Sequence, residues 1–160
     1  MPDASEDFGL RIIVDTREQK PYQFGIHSEH VKLDTGDYSV KNYEALVAVE
    51  RKSLEDLFRC LTTDRMRFKD QLIRLGALPY KALVIDANLD TLLMGTAHSA
   101  YPGAEALIRL VSMCARVGVP FHFAGGKGAI LTGVLLREFV GEAASVWGVQ
   151  RVLKKRKKKK

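Results

Sequence analysis

Short runs rich in apolar and β-branched residues alternate along this chain with longer stretches of helical periodicity. That alternation restricts the fold more than any other feature, because apolar strands need amphipathic helices to cover them, and it predicts an α/β domain. Leu10-Arg11-Ile12-Ile13-Val14 breaks into the polar Asp15-Thr16-Arg17-Glu18-Gln19-Lys20-Pro21, as a buried strand does before a loop, which places Asp15 at a strand end. Residues 38–41 and 45–51 read as a hairpin about Asn42-Tyr43-Glu44. Ser53-Leu54-Glu55-Asp56 has the pattern of a helix N-cap with an acid at the third helical position, leading into Leu57, Phe58, Cys60 and Leu61. Asp64 is placed to cap a second helix with a stripe of Phe68, Leu72, Ile73 and Leu75, ended by Gly76 and Pro79. Residues 81–86 read as a buried strand, 104–117 as a helix stopped by Gly118, and 119–123 as another strand. A last amphipathic helix is expected from Gly128 to about Trp147, marked by Ile130, Leu131, Val134, Leu135 and Phe139.

With 160 residues, 46% apolar and 28% charged, the chain has a core large enough for one domain without disulfides or structural metal, and is neither disordered nor fibrous. Cys60 and Cys114 stand in apolar surroundings without CxxC or Cys/His spacing, so buried free thiols are expected. His27, His30, His98 and His122 are scattered without metal spacing. No run approaches the roughly 18 apolar residues of a membrane span, and the acidic start lacks the layout of a signal peptide. These features predict an intracellular protein with no membrane partner, in the cytoplasm or nucleoid of a bacterium or the nucleus of a eukaryote. The net charge of +6 is uneven: setting aside the seven basic residues 154–160 leaves 18 basic against 19 acidic, a balance of −1. The expected division is therefore a folded part over residues 8–150 and a polybasic tail over 151–160. Such a tail suits phosphate backbones, and reads equally as a localisation-like or solubilising segment.

If the hairpin turns at Tyr43-Glu44, Asp37 stands opposite Glu50, and Lys52 shares the Glu50 face. Two facing carboxylates repel unless a cation compensates, and hard oxygen ligands suit Mg²⁺ or Mn²⁺, which accept phosphate oxygens as further ligands. Lys52 beside them is suited to orienting or deprotonating an attacking water, or to stabilising charge on a phosphodiester under attack. The same residues also read as a Gly36-Asp37 turn and a charged strand end. Arg51 alternates to the opposite face, where a structural ion pair is expected. Asp56 reads both as a capping acid and as a site acid. Ala124-Gly125-Gly126-Lys127-Gly128 lacks the order and the hydroxyl residue of a nucleotide-binding P-loop, so a tight turn is expected.

Gly36-Asp37 followed by Glu50-Arg51-Lys52-Ser53-Leu54-Glu55-Asp56 resembles the GD…ERKxxxD signature of the ERCC4-type nucleases, the XPF/Mus81/Hef family, and Val14-Asp15-Thr16-Arg17-Glu18 resembles the VDxRE strand end that precedes it there. The resemblance covers about residues 12–85. It implies a restriction-endonuclease-like fold, a central mixed sheet flanked by helices, and Mg²⁺- or Mn²⁺-dependent incision of branched, flapped or forked DNA in repair or recombination. Carried over by residue, it makes Asp37 and Glu50 the principal metal ligands, with Asp15 joining them, Lys52 the catalytic lysine, and Asp15 and Asp56 supporting acids. Arg17, Glu18 and Arg51 fall on motif positions that in the family are near the scissile phosphate or order the site. With Lys154, Lys155, Arg156 and Lys157 they form the expected DNA contacts. Many relatives continue into a tandem helix–hairpin–helix domain that has no room here, so the tail, a partner subunit or a second copy is expected to supply the grip on DNA. Two rival readings remain. One is a non-catalytic DNA-binding or scaffold subunit, disfavoured by the presence of Asp37, Glu50 and Lys52. The other is a restriction-type or junction-resolving nuclease.

Overall fold

The computed structural model describes residues 10–157, with side chains through residue 146. Six strands, β1 (Ile12–Val14), β2 (Ser28–His30), β3 (Tyr38–Val40), β4 (Val47–Lys52), β5 (Tyr80–Ile85) and β6 (Phe121–Phe123), form one sheet in the order β2-β1-β3-β4-β5-β6. Pairs β1/β2, β4/β5 and β5/β6 are parallel, whereas β1/β3 and β3/β4 are antiparallel, so the sheet is mixed. Helices α1 (Leu54–Leu61), α2 (Arg65–Gly76), α3 (Leu89–Met94) and α4 (Gly103–Val117) cover one face, and α5 (Gly128–Lys157) covers the other.

Strand alternation divides the core in two. Ala48, Leu83 and Ile85 join Leu57, Phe58, Leu61, Phe68, Leu72, Leu92 and Leu110 on the first face. Val47, Val49, Ala82 and Val84 join Tyr38, Val40 and Leu136 on the second. Every side chain of β4 is therefore assigned by parity: Glu50 and Lys52 follow Ala48 toward α1 and α2, and Arg51 follows Val49 toward α5.

Tyr38 pairs with Val49, so one step further along the antiparallel ladder Asp37 faces Glu50, in the predicted register. The connection is longer than predicted. The strands stop at Val40 and begin at Val47, and a turn with Asn42 at φ 73° intervenes, the Leu46 and Val47 amides donating to the Tyr43 carbonyl. Opening pairs from the turn end removes residues equally from both strands, which leaves the register untouched.

Ser53 caps α1, its Oγ accepting from the Asp56 amide at 3.2 Å, and Gly118 ends α4 in the left-handed region. Asp64 holds the N-cap position of α2 without a side-chain capping bond, because its backbone is not extended there. Ile73, Ile130 and Val134, expected in the apolar stripes, are exposed, the buried face of each helix being narrower than its run of apolar residues. Two elements escaped the sequence reading: β2, whose Ser28-Glu29-His30 carries no apolar alternation, and the six-residue α3, capped by Asn88 accepting from the Thr91 amide at 2.8 Å. Helix α5 runs past its expected end to Lys157. Cys60 and Cys114 are buried free thiols. Among the described residues no helix is long and apolar enough to cross a membrane.

Candidate active site

The chain reaches Asp37 through Gly36, whose φ of 79° and approach to β4 exclude a side chain: a Cβ there would lie 2.9 Å from the Ala48 Cβ and 3.2 Å from the Val49 carbonyl oxygen. Close approach then fixes Asp37 on three sides. Its amide donates to the Val49 carbonyl at 2.9 Å and its carbonyl accepts from the Asp15 amide at 2.8 Å, while its Oδ2 accepts from the Arg51 amide at 2.8 Å. Across the ladder, the Glu50 Oε1 lies 3.2 Å from the Lys52 Nζ. Lys52 also donates to the Gln71 Oε1 at 3.5 Å and lies 5.8 Å from the centre of the Phe68 ring.

Electrostatics set this group apart. Burial, then the charge of Glu50, push the Asp37 carboxyl up to about 8 against the Arg51 amide and the Lys52 charge, which favour its ionised form. Burial likewise raises Glu50, outweighing the opposing effect of Lys52. Burial works against the Lys52 cation, but the Glu50 carboxylate outweighs it and holds the ammonium above its ordinary range. Two carboxylates that resist ionising together form a donor set short of positive charge, which is what a hard divalent cation supplies. The residues therefore fit such an ion, with Asp37 and Glu50 as its holders. Among the described residues no group of three or more His, Cys, Asp or Glu side chains is placed to hold a metal ion together.

Asp15 is 2% exposed and its carboxylate is heavily used. Oδ1 accepts from the Arg17 amide at 2.9 Å and Nε at 2.8 Å, and Oδ2 accepts from the Leu33 amide at 2.7 Å and the Arg17 Nη2 at 3.2 Å. Burial pushes this carboxyl up, but those bonds outweigh it and hold it below the usual range. Asp15 thus ties β1 to the 15–18 turn and to Leu33, next to the Asp37 carbonyl. The charges of Arg17 and Glu18 both reach Glu50. Asp56 donates its amide to Ser53 and pairs with Arg59. With Lys52, Arg59, Cys60, Asp64, Arg67 and Gln71 it lines a cleft of about 230 Å³ beside the lysine.

Arg51 leaves for the other face, as alternation predicts, and its Nε binds the Asp86 Oδ2 at 2.7 Å. The site thus gathers Asp37, Glu50 and Lys52, with Asp15, Arg17, Glu18 and Asp56 around them. The side chains of Lys154, Lys155, Arg156 and Lys157 lie outside those described. Residues 124–127 form a turn, the Lys127 amide donating to the Ala124 carbonyl at 2.9 Å, and Gly128 begins α5. Sequence reasoning missed Gln71 and Asp86. Asp86 carries the signal that singled out Asp15, an acid ending an apolar strand run; Gln71 carries none, because only the packing of α2 brings it to Lys52.

The chain matches the family model of the ERCC4 domain over residues 14–123. Its structure is similar to XPF from Aeropyrum pernix, with a TM-score of 0.63 and 19% identity over 91% of this chain and 73% of that one. It is similar also to XPF from Aeropyrum pernix in complex with DNA, with a TM-score of 0.60 and 19% identity over 85% of this chain and 66% of that one. The present chain therefore spans just under two thirds of the DNA-bound XPF chain. No curated protein sequence matches it. At that identity the two structures speak for the fold, a mixed sheet flanked by helices. The family match covers more than half of the chain, so this protein belongs to the ERCC4 domain family, a family of nucleases.

Proposed function

We propose that this protein is a divalent-metal-dependent DNA endonuclease that hydrolyses phosphodiester bonds in branched or flapped DNA, in repair or recombination. The observation that carries the reading is the meeting of Asp37, Glu50 and Lys52 at the ends of β3 and β4, half-buried together and short of positive charge. Family membership and the DNA in the complex of the similar XPF support the choice of polymer.

Asp37 and Glu50 would hold Mg²⁺ or Mn²⁺, with Asp15 as the adjoining acid whose amide fixes the Asp37 main chain. The ion, when bound, supplies Lewis acidity to the phosphate and acidifies water. The Lys52 ammonium, held above its ordinary range by the neighbouring carboxylates, is the cation placed to stabilise charge on the phosphate. Gln71 and Glu50 hold that Nζ in place. By the family resemblance Arg17 and Glu18 lie near the scissile phosphate or order the site, and Asp56 keeps Arg59 beside the cleft.

The test is cleavage of end-labelled single-stranded, duplex, flap and fork DNA with Mg²⁺, Mn²⁺ or EDTA, comparing wild type with Asp37→Asn. Metal-dependent cutting that falls about a hundredfold or more in Asp37→Asn, with DNA affinity retained, supports the reading. Binding without cutting under every condition replaces it with a non-catalytic DNA-binding subunit.

A further inference from the structure

Of the run Glu50-Arg51-Lys52, Arg51 alone turns its side chain away from the site, and the surroundings it enters are more tightly specified than an ion pair requires. The guanidinium donates through Nε to the Asp86 Oδ2 at 2.7 Å, through Nη1 to the Lys20 carbonyl, and to the Tyr38 Oη at 3.5 Å. Its carbon lies 3.9 Å from the centre of the Tyr22 ring. Tyr22 stacks in turn on Tyr38, with ring centroids 5.2 Å apart and planes 13° apart, and its hydroxyl donates to the Asp86 Oδ1. The Tyr22 amide donates to the Tyr38 Oη at 3.0 Å. At the start of α5, Gly128 makes room for this cluster: a Cβ there would strike the Tyr22 hydroxyl and lie 2.7 Å from the Asp86 Oδ1.

The cluster thus ties the end of β5, the start of α5 and the segment around Lys20 to one residue of β4. The amide of that same residue donates to the Asp37 Oδ2 at 2.8 Å. Arg51 therefore joins the two faces of the sheet: its side chain is held on one, and its main chain holds an active-site carboxylate on the other. Such an ion pair is weak evidence for stability, since packed apolar groups hold a sheet as well, but its directional bonds define position.

We infer that Tyr22 and Asp86 are positioning residues: by fixing the Arg51 side chain they set the Arg51 amide, and with it the Asp37 carboxylate and the neighbouring Glu50–Lys52 pair, in the geometry that hydrolysis requires. The inference rests on the endonuclease reading above. Both residues lie on the face of the sheet opposite Glu50 and Lys52, so their loss acts on turnover rather than on DNA binding.

Asp86→Asn removes the charge at nearly constant shape, and Tyr22→Phe removes the donor to Asp86 while keeping the stacked ring. Each is measured in steady-state cleavage, in thermal unfolding, and in a Mn²⁺ titration of the DNA-free protein. For Asp86→Asn, kcat falls about tenfold to a hundredfold with KM within about twofold, on a protein still folded at the assay temperature, and Mn²⁺ binds more weakly. Tyr22→Phe moves the same quantities in the same direction by less, and decides the matter if Asp86→Asn does not fold. A folded variant with wild-type kcat, or a loss no larger than its unfolded fraction, overturns the inference while leaving the nuclease reading intact. If the wild type cuts no DNA, that reading fails, and the Mn²⁺ titration alone decides: unchanged affinity in Asp86→Asn overturns the positioning role, and weakened affinity supports it.

Discussion

Asp37 is where folding and function pull hardest against each other. Its carboxyl is raised from an ordinary 3.8 to about 8 by burial and by Glu50. The folded metal-free protein therefore holds a proton there that the unfolded chain has released. A carboxyl with a raised folded value costs the native state stability as it ionises, so metal-free protein loses stability as pH climbs through that window. Asp37→Asn removes the charge. The expected result in thermal unfolding with EDTA is that the variant melts several degrees above wild type at about pH 9 and close to it at about pH 5. Added Mg²⁺ or Mn²⁺ raises the wild-type midpoint and leaves that of the variant unmoved. Asp15 behaves in the opposite way, because its carboxylate is satisfied on both oxygens. Asp15→Asn replaces an acceptor oxygen with a donor facing the Leu33 and Arg17 groups, and is expected to cost about 2–4 kcal/mol in denaturant unfolding.

Among the elements, α1 carries the local signal most plainly. Ser53→Ala removes the bond to the Asp56 amide and is expected to cost about 1 kcal/mol in chemical denaturation. The hairpin shows how much of the site is legible in the order of residues alone. Alternation along residues 45–51 and the placing of the turn near Tyr43 bring Asp37 opposite Glu50, and that pairing survives a connection quite unlike the two-residue turn assumed. Resemblance then distinguishes a site from a charged strand end. What stays illegible is what distant elements contribute. Asp86 and Tyr22 are 35 and 29 positions from Arg51 along the chain, and no periodicity links them. Strand β2 is equally hidden: Ser28-Glu29-His30 has no buried face to advertise, and pairs in parallel with β1 at the sheet edge.

For the whole molecule, positive charge is concentrated in the run at residues 154–160, without which the chain is nearly neutral. Deleting that run is expected to weaken DNA binding and flatten its salt dependence, by up to about 0.9 in the log–log slope for each phosphate the run neutralises. A fluorescence titration over several salt concentrations measures this, and turnover at saturating DNA should persist. At the same scale, the order β2-β1-β3-β4-β5-β6 leaves, among the described residues, two margins, each a strand of only three residues. A margin that short offers a passing polypeptide too few free amides and carbonyls to template a further strand. The sheet is thereby shielded from growth by β-addition and from fibrillar self-association. Side chains on the helical flanks, rather than an extension of the hydrogen-bonded ladder, are therefore the surface favoured for contact with a second copy or partner.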